Sequence, residues 1–320
     1  MQILTFLLLI FVGFVLLLKG AEFMVNGSSS LARKFKISEL AIGFTVVAMG
    51  TSAPEFVVNL ISGLGGHNEV VFGNIIGSNI FNLFLILGIA GMIYPLTVQS
   101  DTVKFEIPFS LAITLILLVL VNDRVIFGGE ENVAALFDGI ILFVLFIGFL
   151  IYIYINIKSG ESELEDIEVY SNLRTGLMIV GGITGLVLGG KMVVDNAVGL
   201  AELFGVSEKL IGLTIVAAGT SLPELATSAM AAMKKRSDIA IGNILGSNIF
   251  NILFVLGINA MIMPIAYNPV LNVDLIFLSL GTLLLFLFMF TLKTRKLDRI
   301  EASSYLVIFI VYMIFVILRK

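Results

Sequence analysis

Apolar residues run through this chain in successive stretches of about twenty, broken only by short polar or charged turns. A helix of that length spans the roughly 30 Å hydrocarbon core of a bilayer. Of the 320 residues, 58% are apolar and 13% charged, about half the roughly 25% charge of a soluble domain. The expected fold class is an all-α membrane protein. Zero cysteines exclude disulfides, thiolate metal sites and thiol catalysis, and the single histidine, His67, excludes a histidine-built metal centre. The net charge of −4 without a basic tract argues against nucleic acid as a partner.

Ten candidate spans are expected: Ile3–Gly20, Ile37–Leu64, Val70–Tyr94, Ile107–Val121 and Ala134–Ile155, then Leu177–Gly199, Val206–Met233, Ile239–Met263, Leu275–Leu292 and Ser303–Leu318. The first lacks a basic leader and a small-residue cleavage site, so it reads as a retained span. If the N-terminus is outside, the inner loops hold Arg33, Lys34, Lys36, Lys104, Lys158, Arg174, Lys234, Lys235, Arg236, Lys293, Arg295, Lys296 and Arg299. These are 13 of the 19 basic residues. The outer loops hold only Arg124 and Lys209, so the positive-inside rule places both termini outside a cell membrane. An acidic inner linker, 158–173, separates a first five-span unit (1–157) from a second (174–320).

The two units are copies. Gly43–Gly88 aligns without a gap on Gly212–Gly257 at an offset of 169, with 20 of 46 positions identical. The identities concentrate in Gly50-Thr51-Ser52-Ala53-Pro54-Glu55 against Gly219-Thr220-Ser221-Leu222-Pro223-Glu224. They recur in Gly73-Asn74 through Asn82 against Gly242-Asn243 through Asn251. An odd number of spans per unit makes the copies inverted, the architecture of many secondary transporters with a midplane site.

Glu55 and Glu224 fall in the middle of apolar spans, where an ionised side chain costs several kcal/mol and functional use is the default reading. Pro54 and Pro223 have no N–H for the carbonyls of Gly50 and Gly219 and crowd them. Carbonyl oxygens near Ala48–Thr51 and Ala217–Thr220 are therefore expected to be free. Asn74, Ser78 and Asn82 form one helical stripe, repeated by Asn243, Ser247 and Asn251. Carboxylates, amides, hydroxyls and carbonyls form an oxygen-only donor set suited to Ca²⁺, with no soft ligand for other metals. The pairs Gly73/Gly77 and Gly242/Gly246 read as helix-packing motifs. Asn79 and Asn248 point off the stripe and read as helix contacts, His67 as a solvated loop residue, and Glu22, Asp138, Asp195 and Asp274 as carboxylates at span ends or on a polar face.

The two doubled motifs resemble the α-repeats of the cation/Ca²⁺ exchanger superfamily, closest to its prokaryotic Na⁺/Ca²⁺ exchangers. The resemblance implies that Glu55 and Glu224 coordinate Ca²⁺ and share in binding Na⁺. It assigns main-chain and hydroxyl oxygens of Thr51 and Thr220 to the central site, with Ser52 and Ser221 beside them. The Ala48 and Ala217 carbonyls, with the Ser78 and Ser247 hydroxyls, would complete flanking Na⁺ sites, and Asn82 and Asn251 would close the cluster. Asn251 replaces an aspartate found in some relatives, including K⁺-dependent ones, which argues against K⁺ co-transport. The expected partners are Ca²⁺, Na⁺ and the lipid bilayer. No cofactor is expected, and nothing in the sequence names a protein partner. The first helix of each unit, Ile3–Ala32 and Leu177–Ala201, would supply the moving element. An H⁺/Ca²⁺ exchanger and a Ca²⁺-permeable channel are the alternatives. An intramembrane enzyme lacks any HExxH motif or serine–histidine pair.

Overall fold

The computed structural model describes residues 2–126, 128, 131–156, 168–204 and 217–319. Helix α1 covers Gln2–Phe35. Next come α2 (Glu39–Thr51) and α3 (Ala53–Leu64), bent by 47° at their junction, then α4 (Asn68–Ile93). The first half ends with α5 (Thr102–Leu120) and α6 (Leu136–Ile155). In the second half, α7 is Asn172–Leu203 and α8 is Leu222–Met233. It continues with α9 (Ser237–Ile262), α10 (Pro269–Phe288) and α11 (Arg299–Leu318). Among the described residues eight helices are long and apolar enough to span a bilayer, and the bent α2–α3 pair gives a ninth. The expected span Val206–Met233 begins outside the described residues, as does most of the acidic linker. The chain is a multi-pass membrane protein.

Burial sorts the helices into an inner and an outer set. The most apolar window of α9 is 94% buried and that of α4 72%, against 17% for α1 and 28% for α6. The two motif-bearing helices therefore form the centre. The outer helices turn residues such as Leu4, Phe11, Phe137 and Leu280 outward, apolar surface that lipid accommodates.

The outer helices are longer than the apolar runs suggest. Helix α1 continues fifteen residues past Gly20, through Ser28, Ser29 and Ser30, all buried. Two of the three hydroxyls find partners, while that of Ser28 has none among the described residues. Ser29 donates to Glu39, and Ser30 meets Thr175 at 3.1 Å. Helices α1 and α7 pack along their length through glycine. A Cβ on Gly20 would lie 2.7 Å from the Leu186 nitrogen, and one on Gly182 2.8 Å from the Met24 nitrogen. Small residues let helix backbones approach this closely in a membrane.

Loop contacts divide the molecule into two faces. On one, Lys34 donates to the Tyr170 carbonyl, Arg236 pairs with Glu39, and Gln99 bonds Asp238. There too β1 (Leu96–Thr97) pairs with β4 (Lys296–Leu297). On the other face Asn122 and Asn272 exchange amide hydrogen bonds. Nearby, β2 (Val133–Ala134) pairs with β3 (Ile265–Ala266). The basic loops collect on the first face. His67 is exposed on the second, between α3 and α4.

Asp274 departs from the expected solvated carboxylate. It is 3% exposed, and both its oxygens are held by Arg319 at 2.9 and 3.3 Å. The Tyr312 hydroxyl adds a bond of 2.8 Å. Helix α11 returns antiparallel to α10, so its C-terminal arginine meets the first turn of α10, a pairing that no local pattern announces.

Candidate cation site

Two proline-punctuated helix starts deliver the glutamates. Pro54 stands in the first turn of α3 and Pro223 in the first turn of α8, where a missing N–H is best tolerated. Each glutamate follows directly. Glu55 is 1% and Glu224 0% exposed. Gly50 and Gly219 sit just before these breaks because α7 presses on them. A Cβ at Gly50 would lie 3.0 Å from the Ile183 side chain, and one at Gly219 would overlap Val194.

The two copies of the motif interlock reciprocally. Ser52 donates to a Glu224 oxygen at 2.8 Å, and Ser221 donates to a Glu55 oxygen at 3.3 Å. Thr51 donates to Asn243 at 3.0 Å, and Thr220 to Asn74 at 3.3 Å. Each of these two contacts from the first repeat to the second has its counterpart running back, the pattern of a two-fold interface. Residues 169 positions apart in the chain thus converge on one buried cluster.

Six side-chain oxygens in this cluster have no hydrogen-bond partner among the described residues. They are Glu55 Oε2, Glu224 Oε2, Ser78 Oγ, Ser247 Oγ, Asn82 Oδ1 and Asn251 Oδ1, three from each repeat. Buried acceptors are ordinarily satisfied, and leaving them bare costs about 1–3 kcal/mol each, more for a charge. Six to eight oxygens including carboxylates make a Ca²⁺ shell, so this donor set fits a hard cation. Among the described residues no third acidic or imidazole ligand joins the pair.

Asn79 and Asn248 form a contact, as expected, but they also aim the site. Each donates to the other's backbone carbonyl at 3.2 Å. Their side-chain oxygens accept the ligand amides, Asn82 Nδ2 at 3.1 Å and Asn251 Nδ2 at 3.2 Å. With its NH₂ held there, each ligand asparagine keeps its Oδ1 unpartnered. Asn82 and Asn251 also fall in wide π-turns, 81–86 and 251–256, which recur at functional sites and leave no mark in helical periodicity.

The carbonyls behave partly as expected. Pro54 cannot donate to Gly50, but the Ala48 carbonyl accepts the Ser52 N–H at 2.9 Å and lies 3.3 Å from the Thr51 hydroxyl, whose single proton it shares with Asn243. The proline removes only the donor four residues after Gly50, so the turn begun at Ala48 still closes. Ala217 opens a short helix, Ala217–Gly219, preceded by residues outside the described set. The packing expected of the glycine pairs holds for the second. Gly242 abuts Gly43 and Leu40, and Gly246 abuts Phe44 and Ala48. The equivalents of Gly43 and Phe44, Gly212 and Leu213, lie outside the described residues. Sequence reasoning missed Asn59, whose amide ties to the Glu55 carbonyl at 2.7 Å, and Ser228, which accepts from Asn243 at 2.9 Å. Both follow a glutamate by four residues, a spacing that could have pointed to them.

The sequence profile of the sodium/calcium exchanger protein family matches residues 5–155 and 175–318. The chain is 39% identical over 271 residues to the inner membrane protein YrbG of Escherichia coli K12, covering 82% of this chain and 81% of that one. It is 30% identical over 294 residues to the sodium/calcium exchanger MaX1 of Methanosarcina acetivorans, covering 81% and 83%. The solved structure of the sodium-calcium exchanger NCX_Mj, soaked without Na⁺ or Ca²⁺, superposes with a TM-score of 0.84 at 29% identity, covering 98% of this chain and 99% of that one. The chain belongs to the sodium/calcium exchanger proteins, a family of transporters rather than enzymes.

Proposed function

We propose that this protein exchanges Ca²⁺ for Na⁺ across a cell membrane, using one site for both ions. The observation that carries the reading is the reciprocal pair of buried glutamates, each hydrogen-bonded by a serine of the opposite repeat and flanked by unpartnered oxygens. Two carboxylates balance one Ca²⁺ or a group of Na⁺ ions and repel one another when neither is bound. The empty site resists crossing between outward- and inward-facing states, which makes transport an exchange rather than a leak. Glu55, Glu224, Thr51, Thr220, Ser52, Ser221, Ser78, Ser247, Asn82 and Asn251 are the ligand set. The Ala48 and Ala217 carbonyls take a lesser part, since Ala48 already accepts the Ser52 N–H.

The architecture we infer is two inverted five-helix units, 1–157 and 174–320, joined by the linker 158–173. The basic face lies in the cytoplasm and both termini outside. Alternating access has the glycine-packed α1–α7 pair move as a body over the breaks at Gly50 and Gly219. Its support is that α7 contacts those two glycines directly.

Reconstituted vesicles loaded with Na⁺ test the reading. Uptake of ⁴⁵Ca²⁺ driven by the outward Na⁺ gradient is expected, with collapse when that gradient is removed. Uptake that follows a H⁺ gradient instead would assign proton coupling, and uptake without any counter-gradient would assign a channel.

A further inference from the structure

A second pair of carboxylates, buried Glu106 and exposed Asp101, lies away from the central cluster, on the basic face. Glu106, in the first turns of α5, is 3% exposed. One of its oxygens accepts the Tyr152 hydroxyl at 2.9 Å. The other, Oε2, makes no well-formed hydrogen bond among the described residues; the Thr102 hydroxyl one turn before it, itself without a well-formed partner, is a further donor beside the carboxyl group. Glu106 lines a small cavity of about 20 Å³ between the start of α2, the loop before α5 and the end of α6. Ser38, Gln99, Asp101, Tyr152 and Asn156 are among the other residues on its wall. No arginine or lysine forms an ion pair with Glu106 or Asp101 among the described residues.

A buried carboxylate with half its acceptors unused and no protein cation beside it takes either a proton or a bound counter-charge. A cavity of this size holds a single water-sized occupant. The walls offer two carboxylates and neutral oxygens from Ser38 and Gln99. The Gln99 amide nitrogen already donates to Asp238 at 2.5 Å, which leaves its carbonyl oxygen without that duty. Phe44 and Leu40 supply apolar wall, and water can complete a six- to eight-oxygen shell. We propose that Glu106 and Asp101 hold a divalent cation of the calcium class at this second site. Neither Glu55 nor Glu224 takes part, so the site stands or falls independently of the exchange reading. It involves the capping residue of α2, Ser38, which accepts the Ala41 N–H at 3.1 Å. An ion there would brace the first turn of the helix that carries Thr51.

The chain has no tryptophan, and Tyr152 is hydrogen-bonded to the proposed ligand. Tyrosine-sensitised emission of Tb³⁺, a Ca²⁺ stand-in, therefore reports this site directly. In purified E55Q/E224Q protein we expect Tb³⁺ emission on tyrosine excitation, displaced by Ca²⁺. Glu106→Gln, which keeps the acceptor for Tyr152, should weaken Tb³⁺ by more than about tenfold, the scale on which even outer-shell metal partners act. Tyr152→Phe should dim the emission while ⁴⁵Ca²⁺ binding persists. In otherwise wild-type protein, equilibrium ⁴⁵Ca²⁺ binding should fall by one ion per chain in Glu106→Gln, a readout that does not need the double variant to fold. Absence of sensitised emission from a double variant shown to be folded, emission unchanged by Glu106→Gln, or unchanged ⁴⁵Ca²⁺ stoichiometry would each overturn the site and leave Glu106 a purely structural residue.

Discussion

Replacing Asn248 by alanine removes two hydrogen bonds at once, its own to the Asn79 carbonyl at 3.2 Å and the one it receives from Asn82 at 3.1 Å. Both former partners are buried. An orphaned buried polar group costs about 1–3 kcal/mol, whereas interhelical side-chain bonds measured in a membrane average nearer 0.6 kcal/mol. The combined loss of stability should be about 1–4 kcal/mol. The second consequence is specific to the site. Without Asn248 Oδ1 the Asn82 amide can turn its NH₂ toward the cation, and a penalty of about 1–2 kcal/mol weakens Ca²⁺ roughly 5- to 30-fold. Asn79→Ala should do the same through Asn251. Thermal unfolding of the detergent-solubilised protein and equilibrium ⁴⁵Ca²⁺ binding measure the two effects separately. A variant that is less stable but binds Ca²⁺ as tightly as the parent would show that Asn248 only packs. A variant unchanged in both would refute the network.

The other predictions concern charge, packing and selectivity. Glu55→Gln and Glu224→Gln should each abolish gradient-driven ⁴⁵Ca²⁺ flux, since each removes half the compensating charge; near-parental flux would remove that residue from the site. Asn251→Asp adds a third carboxylate and should change ion selectivity, read as flux in Na⁺, K⁺ and Ca²⁺ series; an identical ion dependence would exclude Asn251 as a ligand. Gly182→Val puts side-chain atoms where a Cβ already lies 2.8 Å from the Met24 nitrogen and 3.0 Å from the Gly20 carbonyl. It should cost about 1–3 kcal/mol and arrest transport, while Gly181→Val, on the exposed face of the same helix, should do neither. Arg319→Ala strands the buried Asp274 carboxylate and should lower stability by about 2 kcal/mol. This is less than for a fully enclosed pair because the arginine keeps a quarter of its side chain exposed. Asp274→Asn in the same chain should restore part of the loss, as thermal unfolding would show.

Much of this protein is legible in one dimension because a bilayer imposes a single length and polarity on each crossing. The apolar runs located most of the helices, and the offset of 169 located both glutamates and the two polar stripes. Where each side chain turns depends on contacts between distant segments. Ser52 reaches Glu224, and Asn248 holds the amide of Asn82, only because α2–α4 and α8–α9 pack face to face. Helix lengths beyond the apolar runs, the Arg319–Asp274 pair and the cavity at Glu106 come from the same cause. Burying a polar group is affordable only beside a partner, and a partner 45 to 172 positions away leaves no local trace. The sequence itself determined which residues could bind a hard cation; tertiary packing decided which of their oxygens are left without a proton donor to take one.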